Sequence, residues 1–310
     1  MLKFRSNSLT SDEIAEYLQL EVVGNSVIVT RPMSLESVLQ DSLCYVETLP
    51  ELELLDTRLS KTSNVTAICQ LEFKNKMTGQ GTFIFSPNPR FDFYRVLTEF
   101  FTEEMPHFVS PSAYVGPQVK LGHNVSIGLN SVIDGQIHVG YNTFIGNNVS
   151  IKGIVSIGSN CVINDGAIIG GEGFEFIKDG SRCIHVPKLG RIQIGDRVWI
   201  GNSSTVERPT LDETIIESDV KIDDLVHVGE SSTIGAASQL TAGTVLAKAV
   251  KLGKNCFLGV NCSVKQRIQI ADDTTIGMGA VVIRDVVQPG HTFAGVPSRI
   301  FQRSAEPVSK

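Results

Sequence analysis

The sequence contains no CxxC pair, no apolar run long enough to cross a membrane and no excess of basic residues. Its six cysteines, Cys44, Cys69, Cys161, Cys183, Cys256 and Cys262, are scattered. That spacing argues against a zinc site and gives no disulfide framework, so they read as reduced, small, structural residues. A membrane-spanning helix needs about 18 or more consecutive apolar residues, and none is expected here. The opening MLKFRSNSLTSDEIAEYL lacks the apolar stretch of a secretory signal, which points to a cytoplasmic protein. With 27 basic against 33 acidic residues and a net charge of −6, nucleic acid is not an expected partner. What remains is a soluble globular composition, 42% apolar and 19% charged over 310 residues, a length that suggests about two domains.

An internal repeat decides the fold. Counting by sixes from Val109 meets an aliphatic residue at each of eleven positions through Ile169. The count restarts at Ile194, Ile200 and Val206, slips by four residues, and runs from Ile216 through twelve positions to Val282. If roughly a third of residues are aliphatic, eleven in a row arise by chance on the order of once in a hundred thousand trials. A period of six matches neither a helix nor a plain strand. It matches a coil of short strands separated by tight turns, one aliphatic side chain per hexapeptide pointing inward and a glycine or small residue often following. Twenty-six hexapeptides, three to a triangular turn, give between eight and nine turns of a parallel β-helix.

Two interruptions stand out. Gly170 to Arg191, GGEGFEFIKDGSRCIHVPKLGR, breaks the count and is expected to leave the coil as a loop (170–191). ERPTLDET forms a shorter excursion before Ile216. Ahead of the repeat, Thr10 to Leu20 reads as a capped helix. NPRFDFYRVLTEFF has Asn88 as N-cap, Pro89 at the first helical position and Phe91, Val96, Leu97, Phe100 and Phe101 as its apolar face. EVVGNSVIVT and GTFIFS suggest a small sheet between them. The expected organisation is a small α/β domain at 1–105, a linker around Pro106 and Pro111, a β-helix domain at 106–300 and a tail at 301–310.

This order, with GGEGFEF and KIDDLVHVGE, resembles the hexapeptide-repeat acyltransferases and, among them, the UDP-3-O-acylglucosamine N-acyltransferases of lipid A biosynthesis, over nearly the whole length. The family loop reads close to GxDGFGF; Gly171, Gly173, Phe174 and Phe176 match, while Glu172 and Glu175 depart. TVERPTLDET keeps Arg208 and Asp212 of a stretch like TIDRGxLxDT, and KIDDLV, containing Asp223, also matches. Glu230 stands where the family has its general-base histidine, and Arg267 where it has a second histidine. In SLCYVETLPE, Tyr45 takes the place of the first of the aromatics that stack the uracil. The ending GAVVIRDVVQPGHTFAGVPSRIF looks like that of acetyl-CoA-dependent sugar acetyltransferases. The fold so implied is mainly β, a left-handed parallel β-helix preceded by a small α/β domain, assembled as a homotrimer with clefts between prisms that the loop would reach across.

Acyl transfer to an amine needs a base, which contributes about a hundred- to ten-thousand-fold. The candidates are Glu230 and, on the same rung, His227. Tyr45, Gly173, Phe174, Phe176, His185, Arg208 and Asp223 are candidate substrate-binding residues, and Lys265, Arg267 and Arg284 candidate contacts to the phosphates of the donor. No metal is expected: prism-shaped carbonic anhydrases need three converging histidines, and only His123, His138 and His227 are available for that role. The leading reading is transfer from acyl-CoA, with acetyl-CoA first, to the amino group of a nucleotide-linked amino sugar for surface polysaccharide. A lipid A type enzyme drawing on acyl carrier protein, and a catalytically silent β-helix that binds nucleotide sugars, stay open beside it. In each case the acyl donor is a co-substrate and no cofactor is permanently bound.

Overall fold

The structure, a computed structural model, describes residues 2–5, 7–77, 80–104 and 106–300; the expected tail lies outside the described residues. The chain forms two compact units, Met1–Pro106 and His107–Lys310.

The first unit is built on a five-stranded sheet in the order Val22–Val23, Thr82–Ser86, Val65–Gln70, Ser42–Val46, Arg31–Pro32, parallel except for the Val22–Val23 edge. Strict alternation along the central strands supplies both faces, as a doubly covered sheet requires. Cys44, Val46, Ala67, Cys69, Phe83 and Phe85 pack with Leu52, Leu55 and Leu59 of the helix Leu49–Leu59. Leu43, Ile68 and Ile84 pack on the other side with Ile14, Leu18, Phe93 and Val96. The helix Ser11–Leu18 starts in a capping box between Thr10 and Glu13. Asn88 caps Pro89–Phe100 by accepting from the Phe91 amide at 3.2 Å. Phe91 itself faces solvent at 60% exposure, and Phe93 takes the core position instead, because it lies three residues before Val96 on the same helical face.

The second unit is a parallel β-helix. Its strands stack in three columns, one through Ile127, Ile145, Ile163, Ile200, Ile222, Leu240, Leu258 and Ile276. A second passes through Val115, Ile133, Ile151, Ile169, Val206, Val228, Leu246, Val264 and Val282. A third passes through Leu121, Val139, Ile157, Ile194, Ile216, Ile234, Leu252 and Ile270. Every aliphatic position of the repeat from Ile127 onward is buried; Val109 is exposed and Val115 and Leu121 are half-buried on the first coil.

From Val125 onward the residue two places before each inward aliphatic is buried as well; it is a Val or Ile at some coils and small at others, Ser131, Thr143, Cys161, Ala167, Ser204, Thr244, Cys256 and Cys262 among them. Buried hydroxyls there need partners, which the backbone of the next coil provides, as when Ser131 Oγ donates to the Gly146 carbonyl at 2.7 Å. Burial raises the thiols of Cys161, Cys256 and Cys262, in keeping with inert packing groups. One place further back, corner residues take the left-handed conformation, often as Asn, which tolerates it best among non-glycine residues: Asn124, Asn142, Asn160 and Asn255 have φ between 52° and 58°. The glycine after the inward aliphatic faces the next coil; a Cβ on Gly229 would lie 2.7 Å from the backbone of Ala247.

Candidate active site

Where the count of six stops, the strand Ile168–Glu172 bulges at Ile169/Gly171 and the chain leaves the coil. It forms an antiparallel hairpin, Phe176–Asp179 against Arg182–His185, turning at Gly180 with φ of 61°. The return segment is tied to the second excursion: the Leu189 amide donates to the Thr210 carbonyl at 2.9 Å and the Gly190 amide to that of Pro209 at 3.0 Å.

Four charged side chains fasten the hairpin's base to the coil. The Lys188 side chain has no solvent exposure and its ammonium meets three acceptors: Glu230 Oε2 at 2.5 Å, Glu175 Oε2 at 2.6 Å and Thr210 Oγ1 at 3.0 Å. Lys248 bridges the other oxygens, Glu230 Oε1 at 2.7 Å and Glu175 Oε1 at 2.8 Å. Glu230 is 2% exposed. The hydrogen bond from Lys188, then those from Lys248 and Thr210, hold the Glu175 carboxyl well below the usual carboxylate range. Burial opposes the charge on Lys248, but its bonds to Glu175 and Glu230 outweigh that and move it up. Both carboxylate oxygens of Glu230 therefore receive hydrogen bonds from ammonium groups.

His227 lies differently. It stacks between Thr205 and Val245 in the second column, with its side chain 37% exposed. Nδ1 is 2.8 Å from Thr205 Oγ1. Nε2 stands 3.9 Å from Glu207 Oε1, too far for a hydrogen bond. Gly173 closes this side, since a Cβ there would come within 2.9 Å of Glu207 Oε2 and 3.2 Å of Glu230 Oε2. His227, Glu207, Gly173 and Glu230 thus form one continuous patch.

The remaining expected site residues divide. Arg208, His185, Phe176 and Phe174 adjoin the patch through the hairpin's stem. Arg208 packs on Gly153 and reaches Glu172 at 3.3 Å, and Glu172 lies 3.4 Å from His185 Nδ1. The His185 ring meets Phe176 edge-on, which meets Phe174, itself 91% exposed. Asp223 is on another column, its Oδ2 accepting from the Ala242 amide at 3.0 Å. Lys265, Arg267 and Arg284 are exposed; Lys265 follows Val264, two rungs along the column that carries His227, and Arg267 is a left-handed corner residue. Tyr45 packs in the first unit, with its ring centroid 5.1 Å from that of Phe93.

Sequence reasoning did not find Lys188, Lys248, Thr205, Thr210 or Glu207. The one available signal was that Glu175 and Glu230 both depart from the family pattern. In the fold these two departures share the same pair of lysines.

The hexapeptide repeat of succinyl-transferase matches residues 118–152, 136–170 and 249–284, and with the stacked columns it defines the class, a hexapeptide-repeat acyltransferase. The UDP-3-O-acylglucosamine N-acyltransferase of Leptothrix cholodnii is 44% identical over 261 residues, 77% of this chain and 76% of that protein. Those of Idiomarina loihiensis and Aromatoleum aromaticum are 46% and 50% identical over 135 and 134 residues, 44% and 43% of this chain. In both of those comparisons the chain spans 40% of the relative's length. The chain belongs to the family of the UDP-3-O-acylglucosamine N-acyltransferases. In fold it is similar to the UDP-N-acetylglucosamine acyltransferases of Francisella novicida (TM-score 0.57, 23% identity, 63% of this chain and 70% of that one) and Campylobacter jejuni (0.55, 20%, 63% and 74%).

Proposed function

We propose that this protein transfers an acyl group from a thioester donor, acetyl-CoA first among the candidates, to the amino group of a nucleotide-linked amino sugar, with His227 as general base. The observation that carries this reading is the contrast on one rung: Glu230 is buried with both oxygens bonded to ammonium groups, whereas His227 is part-exposed with Nε2 facing Glu207. The acceptor class follows from the relatives' names, which place their reaction on the amine of a UDP-linked glucosamine.

The 3.9 Å gap between Nε2 and Glu207 suits an amine. The carboxylate attracts the ammonium form, Nε2 takes its proton, and the freed nitrogen attacks the thioester carbonyl. In the tautomer that this reading requires, Nδ1 donates to Thr205 Oγ1, the lone pair is on Nε2, and Glu207 faces the imidazolium that results. The tetrahedral intermediate gives its second nitrogen proton to solvent and collapses to amide and thiolate, and the thiolate takes the proton held by the His227 imidazolium, which returns the ring to its neutral form. Glu230 keeps the hairpin seated, and Phe174, Phe176, His185 and Arg208 contact the acceptor from the hairpin side. Lys265, Arg267 and Arg284 receive the donor's phosphates, with Lys265 about 10 Å along the same column at the ordinary strand spacing. Asp223 offers a carboxylate to the acceptor's sugar. Exposed Trp199 and Phe257 on one column support a homotrimer, and a nucleotide-linked acceptor with a CoA donor supports a cytoplasmic setting.

The test is thiol release from acetyl-CoA with a panel of UDP-linked amino sugars. Loss of the base in His227→Asn lowers kcat by about a hundred- to ten-thousand-fold with little change in KM. Full activity of His227→Asn would remove the base assignment, and absence of thiol release with CoA and acyl carrier protein donors alike would remove the transferase reading.

A further inference from the structure

Around the corner of the coil from His227 lies a groove of about 790 Å³, reached by Lys120, His138, Arg191, Gln136 and Gln193. Its origin is local. The strands Val132–Val139 and Ser150–Ile157 run unbroken through this corner, using Gly135 and Gly153 at positive φ. No tight turn projects there, and two parallel columns of outward side chains are left open between them. One column is Lys120, His138, Ser156 and Gln193, the other Gln136, Ile154 and Arg191.

Two properties mark the groove as a binding site. No acidic residue lines it, in a chain whose net charge is −6. None of the Lys120, His138, Gln136, Ser156 or Gln193 side chains is bonded to any described residue, whereas Arg191 pairs with Glu213. The groove also has a direction. Its lower end carries Lys120 and His138; above Ile154 and Arg191 it continues between the exposed Leu189 and Leu211, where Asp212 lines it and Glu213 is taken up by Arg191. Polar, cationic chemistry at one end and aliphatic surface at the other, about 19 Å apart at four coil spacings, match an elongated amphiphile.

We propose that this groove binds a phosphate monoester on an aliphatic arm, its phosphate at Lys120 and His138 and its chain along Ile154 toward Leu189 and Leu211. Arg191 guards the junction, and the carboxylate at the far end turns away a second anionic group.

Calorimetric titration of the full chain with octyl phosphate below its micellar concentration, and with inorganic phosphate and octanol, tests this. Octyl phosphate binds saturably, one per chain and at least about tenfold tighter than either part alone. The double variant Lys120→Ala/Arg191→Gln, on exposed side chains, weakens it by about tenfold or more, and Ile154→Asp removes the advantage of the alkyl chain over inorganic phosphate. An absence of saturable binding, equal affinity for inorganic phosphate, or an undiminished affinity in the double variant overturns the proposal. The groove shares no catalytic residue with the His227 patch, so a failure here leaves the transferase reading untouched.

Discussion

Replacing Lys188 with methionine keeps the stem's volume and deletes one charge from a cluster of two lysines and two glutamates. In the wild type each of the three ammonium protons has an acceptor, so the group is fully satisfied despite having no exposure. After the substitution Lys248 alone faces two carboxylates, and Glu230, 3% exposed at its side chain, is left in a low-dielectric site with half its partners. Removing one member of a buried ion pair costs about 3–5 kcal/mol. The hairpin can relieve that cost by lifting away and letting water reach both acids, so the penalty falls on docking rather than on the coil. Taking 3 kcal/mol, the lifted population rises by roughly a hundredfold. Hydrogen exchange reads this directly: the Leu189 and Gly190 amides, bonded to the Thr210 and Pro209 carbonyls, exchange roughly a hundred times faster, while amides of the stacked columns do not change. Lys248→Met, at a half-exposed position, gives a smaller effect of about 1 kcal/mol or less. Wild-type exchange at Leu189 and Gly190 in Lys188→Met would refute the clasp.

Because Glu175 is held below the ordinary carboxylate range, its share of docking is fully present above the unfolded carboxylate value and is lost only as pH falls toward the lower folded one. The hairpin amides therefore keep their docked NMR shifts down through about pH 4, and release centred in the ordinary carboxylate range would contradict the assignment. Truncating Ile222, fully buried in the first column, to alanine costs about 2–5 kcal/mol, read as a lowered midpoint in urea. Under native conditions a thiol reagent modifies Cys183 and spares the other five cysteines, which are buried; burial pushes Cys44 up to about 12, and intact mass gives the count.

The period of six made the solenoid legible because every coil must fill the same interior with the same few residue sizes. Cys161, Cys256 and Cys262, which looked merely scattered, occupy the small inward position two places before Ile163, Leu258 and Val264. Helix starts were legible at Thr10 and Asn88, where caps act over three residues, but the alternation of Phe91 and Phe93 was not, since both lie near the helix start and only the packing of the unit's core chooses between them. The chemistry of Glu230 was the least legible. Its neighbours Lys188 and Glu175 lie 42 and 55 positions earlier, in a segment whose own strands have no period in common with the coil, so no local pattern announces that a position read as a base is clasped by two ammonium groups.

Stacked strands in the coil are 18 residues apart, as Val228 is from Leu246 and Leu246 from Val264. Where the chain makes its excursions the interval becomes 37, from Ile169 to Val206, and 22, from Val206 to Val228. The coil therefore has a reading frame. Deleting eighteen residues between Gly229 and Ser263 would shorten the molecule by one storey and leave each later side chain on its own wall. Deleting six would keep every inward aliphatic inward, and so keep the fold, yet turn everything beyond it by one wall of three. Lys265 would then no longer share a wall with His227. Such a frameshift in space leaves stability almost untouched while separating His227 from Lys265, the groups proposed to act as base and donor contact, so the proposed site depends on the alignment of the walls more than on the composition of any rung.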